Sequence, residues 1–220
     1  MVAGLAWGVA RGSFFRLRAG EWRYPAGAAA FLSSHRISAP IFNTYLIGGY
    51  LIWKDQRTFV DGRALSETVF KDYRTIVDSP PGAPERGALL ARYGAGAIVM
   101  DSYEYLTGAM HGLVRAMAYP DMADWKLAYE DSQSMVFLRD LPAGVSEIPK
   151  ARIADHLESE CRNLVEHDPK YPDCALKLGY LVARSNPQRA TRMFALYFDH
   201  GGSDADARRT YQELLLSTPR

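Results

Sequence analysis

Cysteine is scarce in this sequence, charge of one sign is nearly balanced out, and long apolar runs are missing. Each shortage closes off a class of function. Two cysteines in 220 residues, Cys161 and Cys174, are too few for a disulfide framework or a zinc site of cysteine type. Lysine and arginine number 26 against 25 aspartates and glutamates, a formal net charge of +1. That balance removes the electrostatic case for a dedicated nucleic-acid binder, which needs a basic excess or a basic stripe. No apolar run reaches the ~18 residues of a membrane span. The longest candidate, Val2 to Ala10, is broken by glycines and stops at Arg11. The five histidines, His35, His111, His156, His167 and His200, show no metal-ligand spacing. There is no G-x-S-x-G elbow, and neither cysteine sits in a nucleophile context. The sequence therefore assigns no catalytic residue, no metal and no cofactor.

What is present is an ordinary globular composition, 48% hydrophobic and 23% charged, able to bury a core. Residues 1–23 read as an N-terminal extension. Its apolar patch is followed by Arg11, Arg16 and Arg18, the reverse of a signal peptide's order. Two readings stand: a loosely docked terminal helix, or the end of a membrane helix that begins upstream.

Residues 24–141 read as an α/β domain. Tyr24-Pro25 opens a helix running to about Ser34. Ile37 to Phe42 predicts a strand, and Asn43 is placed to cap an apolar helix over Thr44 to Lys54. Gly48 and Gly49 would permit close backbone approach there. Thr58-Phe59-Val60 predicts a second strand, ending in Asp61-Gly62-Arg63. Ser66 caps a helix to about Val77, and Glu85 to Tyr93 forms another, closed by Gly94. Ala97 to Met100 is a buried strand ending at Asp101, and Leu106 to Ala118 a helix. Trp125 to Tyr129 and Met135 to Leu138 make a hairpin. The expected fold is α/β: a mixed sheet of about five strands sandwiched by helices, followed by an all-α helical-hairpin, tetratricopeptide-like segment.

Candidate ligand residues gather where strands end, because ligands bind beyond strand carboxyl ends in open α/β sheets. Asn43, Tyr45, Asp61, Arg63 and Asp101 are the residues expected to line such an edge, with Arg63 holding an anionic group and Asp61 hydrogen-bonding sugar hydroxyls or orienting Arg63. The alternative is that Asn43 caps a helix, Asp61-Gly62 makes a turn and Arg63 pairs internally. His111 reads as a solvated or core histidine, and Asp101-Ser102-Tyr103-Glu104 as acidic but isolated.

Residues 142–149 read as a linker and 150–220 as helices only: Ala151 to Glu166, Pro172 to Arg184, Pro187 to Asp199 and Asp204 to Leu216. Asn186-Pro187 and Gly201-Gly202 mark the tight connections. Ala175, Leu178-Gly179, Ala190 and Phe194 resemble part of the tetratricopeptide pattern, with Asp168-Pro169 at the preceding closing proline. Such hairpins usually present a protein-binding groove.

The run Ile41 to Trp53 (IFNTYLIGGYLIW), followed by Thr58 to Arg63 (TFVDGR), is more specific than any motif above. It resembles the FNxYxxGGYLIW…FxDGR region of bacterial polytopic membrane proteins related to C-type glycosyltransferases, of the dolichyl-phosphate-mannose protein mannosyltransferase kind. The order of Asp72-Tyr73, Arg92-Tyr93-Gly94 and the hairpin WKLAYEDSQSMVFLR agrees, and the resemblance spans about residues 11 to 140. In that group the segment is a soluble domain after the last membrane helix. The membrane helices and the acidic residues that carry sugar transfer have no counterpart here. The resemblance therefore implies a non-catalytic, extracytoplasmic (periplasmic) accessory module, membrane-associated through a missing N-terminal region. Its implied partners are a protein bound through the helical tail and a lipid-linked sugar or membrane component, with no nucleic acid. A small α/β enzyme or sugar or phosphate binder at the Asn43/Asp61/Arg63 edge, and a pure protein-interaction module, are the alternatives.

Overall fold

The structure, a computed structural model, describes residues 22–63, 66–104, 107–118, 122–168 and 172–217. In chain order it runs α1 (Ala26–Ser34), β1 (Ile41–Asn43), a 3-10 turn (Tyr45–Ile47), α2 (Gly48–Trp53), α3 (Glu67–Asp78), α4 (Pro84–Arg92), β2 (Ala97–Met100) and α5 (Gly112–Met117). The hairpin β3 (Lys126–Glu130) and β4 (Met135–Leu138) follows. The tail is α6 (Ile153–His167), α7 (Asp173–Val182), α8 (Pro187–Asp199) and α9 (Ala205–Ser217).

The sheet is mixed and has four strands in the order β1-β2-β4-β3, not about five. β1 and β2 are parallel, with Ile41 opposite Ala97, and the remaining neighbours are antiparallel. The missing strand is Thr58-Phe59-Val60. Its backbone lies beside β1 but is held by one side chain. Asn43 Oδ1 accepts from the N–H of Phe59 (2.8 Å) and of Val60 (3.4 Å), and Nδ2 donates to the Val60 carbonyl (2.8 Å). A carboxamide thus satisfies the backbone groups that a ladder would have used. The same bonds explain why Asn43 caps no helix. It ends β1, and the expected Thr44–Lys54 helix becomes a 3-10 turn followed by the short α2. At Gly48 a Cβ would collide with the Val60 carbonyl oxygen, so α2 approaches the 60–61 segment only because that position is glycine. Gly49 has open space around it.

Alternation along the strands divides the apolar residues between two faces. Ile41, Ala97, Val99, Val136 and Leu138 face α1 and α2 through Ala28, Ala29, Leu32 and Leu51. Phe42, Ile98, Met100, Met135 and Phe137 face the other way, toward Tyr73, Ile76 and Val77 of α3, Leu90 of α4 and Leu113 and Met117 of α5. This second cluster continues without a break into the tail, through Leu157, Cys161 and Val165 of α6 to Ala175, Leu178, Met193 and Phe194. Each fully buried Leu or Phe contributes about 1.5–3 kcal/mol, so tail and sheet share one core.

Local rules hold well in places. Ser66 Oγ accepts from Val69 N at the start of α3. Asn186 Oδ1 accepts from Arg189 N (2.9 Å) before Pro187 at the start of α8. They fail around α5. The expected Leu106–Ala118 helix is only Gly112–Met117, because Tyr103 and Met110 pair in an antiparallel bridge that holds the preceding loop open. Leu106 lies outside the described residues. Cys161 of α6 and Cys174 of α7 form a buried disulfide with Cα atoms 5.8 Å apart. One bridge is not a framework, but it ties the first two tail helices together.

Candidate functional site

The parallel pair β1 and β2 ends at one edge of the molecule, and a cleft of about 370 Å³ opens there. That volume lies within the usual range for small-molecule sites. Thr44 follows β1 and Asp101 follows β2, so the strand ends supply the floor. Tyr45 comes from the 3-10 turn. Phe70, Tyr73, Arg74 and Asp78 come from α3, and Glu104, Met110 and His111 from the loop before α5.

The aromatic wall is fixed by its own contacts. The Tyr45 and Phe70 rings meet edge to face at 5.6 Å, and Phe70 stacks on Tyr73 at 5.7 Å. Tyr45 N donates to Tyr73 Oη (3.1 Å), and Tyr45 Oη donates to the Gly62 carbonyl (3.0 Å). Burial pushes the Tyr73 phenol well above its ordinary pKa, so it stays neutral.

The polar side of the cleft is less complete. Asp101 N donates to Thr44 Oγ1 (3.2 Å), but the carboxylate oxygen Oδ1 is buried without a hydrogen-bond partner. His111 Nε2 lies 3.5 Å from it, within ion-pair reach but outside hydrogen-bond geometry. Burial opposes charge on His111, but its direct contact with the Asp101 side chain, with the charges of Asp101, Glu160 and Asp78 added, outweighs burial and raises its pKa. Arg74 is paired with Asp78 at 2.6 Å, and Glu104 accepts from the Thr107 hydroxyl. The cleft thus presents carboxylate acceptors, one of them held only by a 3.5 Å contact to His111, beside a rigid aromatic wall.

Of the residues expected from the sequence, the structure brings Tyr45 and Asp101 together here. Asn43 is fully buried with its carboxamide spent on the 44 and 59–60 backbone. Asp61 and Arg63 pair with each other on an exposed turn, Nη2 to Oδ2 2.6 Å, while Arg63 N donates to Asp61 Oδ1. The Arg63 side chain and backbone bonds hold the Asp61 carboxyl down at about 2. Sequence reasoning gave Phe70 and Tyr73 no site role, set His111 aside as a solvated or core histidine, and set Glu104 aside in an acidic but isolated run. Phe70 and Tyr73 looked like ordinary core positions of an amphipathic helix. The Asp101-x-x-Glu104 spacing at a strand end was the available signal, and His111 seven residues on completes it.

A second polar cluster lies one residue further along. His156 Nε2 of α6 is 2.8 Å from Glu160 Oε2 and 3.0 Å from Ser102 Oγ, and Ser102 N donates to Glu160 Oε1 (2.8 Å). A serine, a histidine and a carboxylate together suggest nucleophilic catalysis, but the geometry does not support it. Ser102 and Glu160 share the same ring nitrogen, Glu130 lies 3.9 Å from Nδ1 and makes no hydrogen bond to it, and Ser102 has no exposed surface. The cluster instead fastens α6 to the end of β2.

Among the described residues no helix is long and apolar enough to cross a membrane, and no group of three or more His, Cys, Asp or Glu is placed to hold a metal ion. No family model, no curated protein and no solved structure matches this chain.

Proposed function

We propose that this chain is a non-catalytic, extracytoplasmic binding module, kin to the soluble domain of polytopic glycosyltransferases, that receives a small ligand in the cleft beyond β1 and β2 and docks a protein through its helical tail. The observation that carries the reading is the preformed aromatic cleft with the Asp101 carboxylate on its lining, whose Oδ1 makes no hydrogen bond and lies 3.5 Å from the His111 ring. The contact to His111 is longer than a good hydrogen bond, so a ligand donor that reaches Asp101 would add one. No serine, cysteine or lysine is among the described residues that line the cleft, which favours binding over covalent chemistry.

The compartment is supported by the Cys161–Cys174 disulfide, since such bonds persist in oxidising surroundings. A tetratricopeptide-like tail is supported by Gly179, where a Cβ would press on the Phe194 ring, and by the burial of Ala175, Leu178 and Ala190. Tyr180 and Leu181 of α7 and Leu215 and Leu216 of α9 are exposed, as a protein-docking face requires.

A screen of small polar solutes by NMR on the full chain tests the reading. Shifts clustered on Tyr45, Phe70, Asp101 and His111 are expected. A solute consumed catalytically, with turnover abolished by His111→Ala, would establish the competing reading. In that reading the His111–Asp101 pair serves as a general acid–base dyad.

A further inference from the structure

The ligand class follows from the donor and acceptor inventory of the cleft, taken as the ligand site proposed above. Three carboxylates line its described part, Asp78, Asp101 and Glu104, against two basic side chains, Arg74 and His111. Arg74 is committed to Asp78. The hydroxyl of Tyr45 is committed to the Gly62 carbonyl. What remains is rich in acceptors: Asp101 Oδ1, faced only by the His111 ring at 3.5 Å, and Glu104 with one hydroxyl donor. An anion would meet like charge, so phosphate and carboxylate ligands are disfavoured. A ligand that fits must bring N–H or O–H donors, and a positive charge is favoured over none. The partly exposed rings of Tyr45 and Phe70, with Met110, offer an apolar wall whose π-faces attract a cation.

We propose that the cleft takes a primary alkylammonium group, with Asp101 and Glu104 receiving its N–H donors and Tyr45, Phe70 and Met110 packing its carbon stem. The bound ammonium would share Asp101 with the His111 imidazole. The groups facing His111 are Asp101 beyond β2, Glu160 on α6 and Asp78 on α3, with Asp78 neutralised by Arg74. A proton on His111 and a cation on Asp101 therefore compete. Ammonium binding strengthens as pH rises and His111 gives up its charge.

The test is an NMR titration of the full chain with n-butylammonium, and with n-butanol, butyrate, tetramethylammonium, methyl glucoside and inorganic phosphate as comparators. Butylammonium should bind about tenfold or more tightly than butanol, a difference that one charge-assisted hydrogen bond supplies. Tetramethylammonium, a cation without N–H donors, should bind more weakly than butylammonium. Asp101→Asn should cut butylammonium affinity about tenfold while the Ser102 and His156 signals stay in place as a control for the fold. His111→Gln should remove the pH dependence of binding. Equal binding of butylammonium and butanol, or of butylammonium and tetramethylammonium, overturns the proposal. So does an unchanged affinity in Asp101→Asn. Binding of methyl glucoside or phosphate at the cleft, with no binding of butylammonium, overturns the ligand class but leaves the binding-module reading standing. Failure of every solute in the wider screen removes both.

Discussion

Two histidines stand opposite carboxylates on either side of the end of β2, and they have opposite fates. His111 faces Asp101, and His156 faces Glu160. Asp101 and Ser102 are adjacent in sequence, yet one serves the cleft and the other the core. The His156 cluster is sealed: its histidine side chain has 0% exposure and Glu160 3%, and Glu160 accepts from the ring and from Ser102 N. The His111 pair keeps 12% and 14% exposure, and its carboxylate has an oxygen without a hydrogen bond. Each cluster leaves one buried polar atom without a hydrogen bond, Asp101 Oδ1 in one and His156 Nδ1 in the other, but only the His111 pair lines the cleft. What separates the two pairs is access to the cleft, not residue type.

Breaking the sealed pair should cost most. Glu160→Ala leaves a buried imidazole and the Ser102 N–H without their acceptor, and the expected loss is about 3–5 kcal/mol in urea denaturation. A loss below about 1 kcal/mol would mean that the cluster is not what holds α6 to the sheet. The disulfide is the next tie in the same region. Cys161→Ala with Cys174→Ala should cost about 2–4 kcal/mol by the entropy of a short closed loop. An unchanged melting curve would show that α6 and α7 stay paired without it.

Titration sharpens the comparison further. Both histidines have raised pKa values. Burial works against protonation in each, and Asp101 with Glu160 and Asp78 (His111), or Glu160 with Glu130 and the Asp131 backbone (His156), outweighs it. A raised folded-state pKa contributes stability that is complete below the unfolded value of about 6.5 and is lost as pH rises through the folded value. Stability should therefore fall on going from mildly acidic to mildly alkaline pH. In imidazole NMR titrations the His111 midpoint should drop on addition of butylammonium while that of His156 holds. Movement of both would join the two clusters into one titrating unit and break the comparison. The smallest effect is expected from Asp101→Asn. It removes the carboxylate 3.5 Å from His111 and with it the lift on that histidine's pKa, so the expected loss is about 1 kcal/mol, and the decline of stability with rising pH should flatten even as ligand binding falls. A large destabilisation would reassign Asp101 to the core.

Legibility in the sequence followed how local the cause was. The expected helices at Pro187 to Asp199 and Asp204 to Leu216 agree with α8 and α9 to within a residue, because Asn186, Pro187, Gly201 and Gly202 act on their own neighbours. The closing hairpin agreed for the same reason. Thr58-Phe59-Val60 did not become a strand, although its composition suits one, because the decision rests on a side chain sixteen residues away. Candidate site residues divided along the same line. Arg63 and Asp61 are close in sequence and found each other, whereas Phe70 and Tyr73 reach Tyr45 only through the packing of α3 on the sheet.

The sequence by itself determined the mixed α/β class, the Ser66 and Asn186 caps, the amphipathic faces and the change to an all-helical tail, since these depend on period, capping and turn chemistry within a few residues. Tertiary structure alone decided that Asn43 would hold a loop to the sheet, that the two cysteines would meet, and that of two neighbouring residues after β2 one would be sealed and the other left open. Those outcomes depend on which groups separate segments bring within about 3 Å of each other, and hydrogen-bond satisfaction at that range is a property of the packed chain.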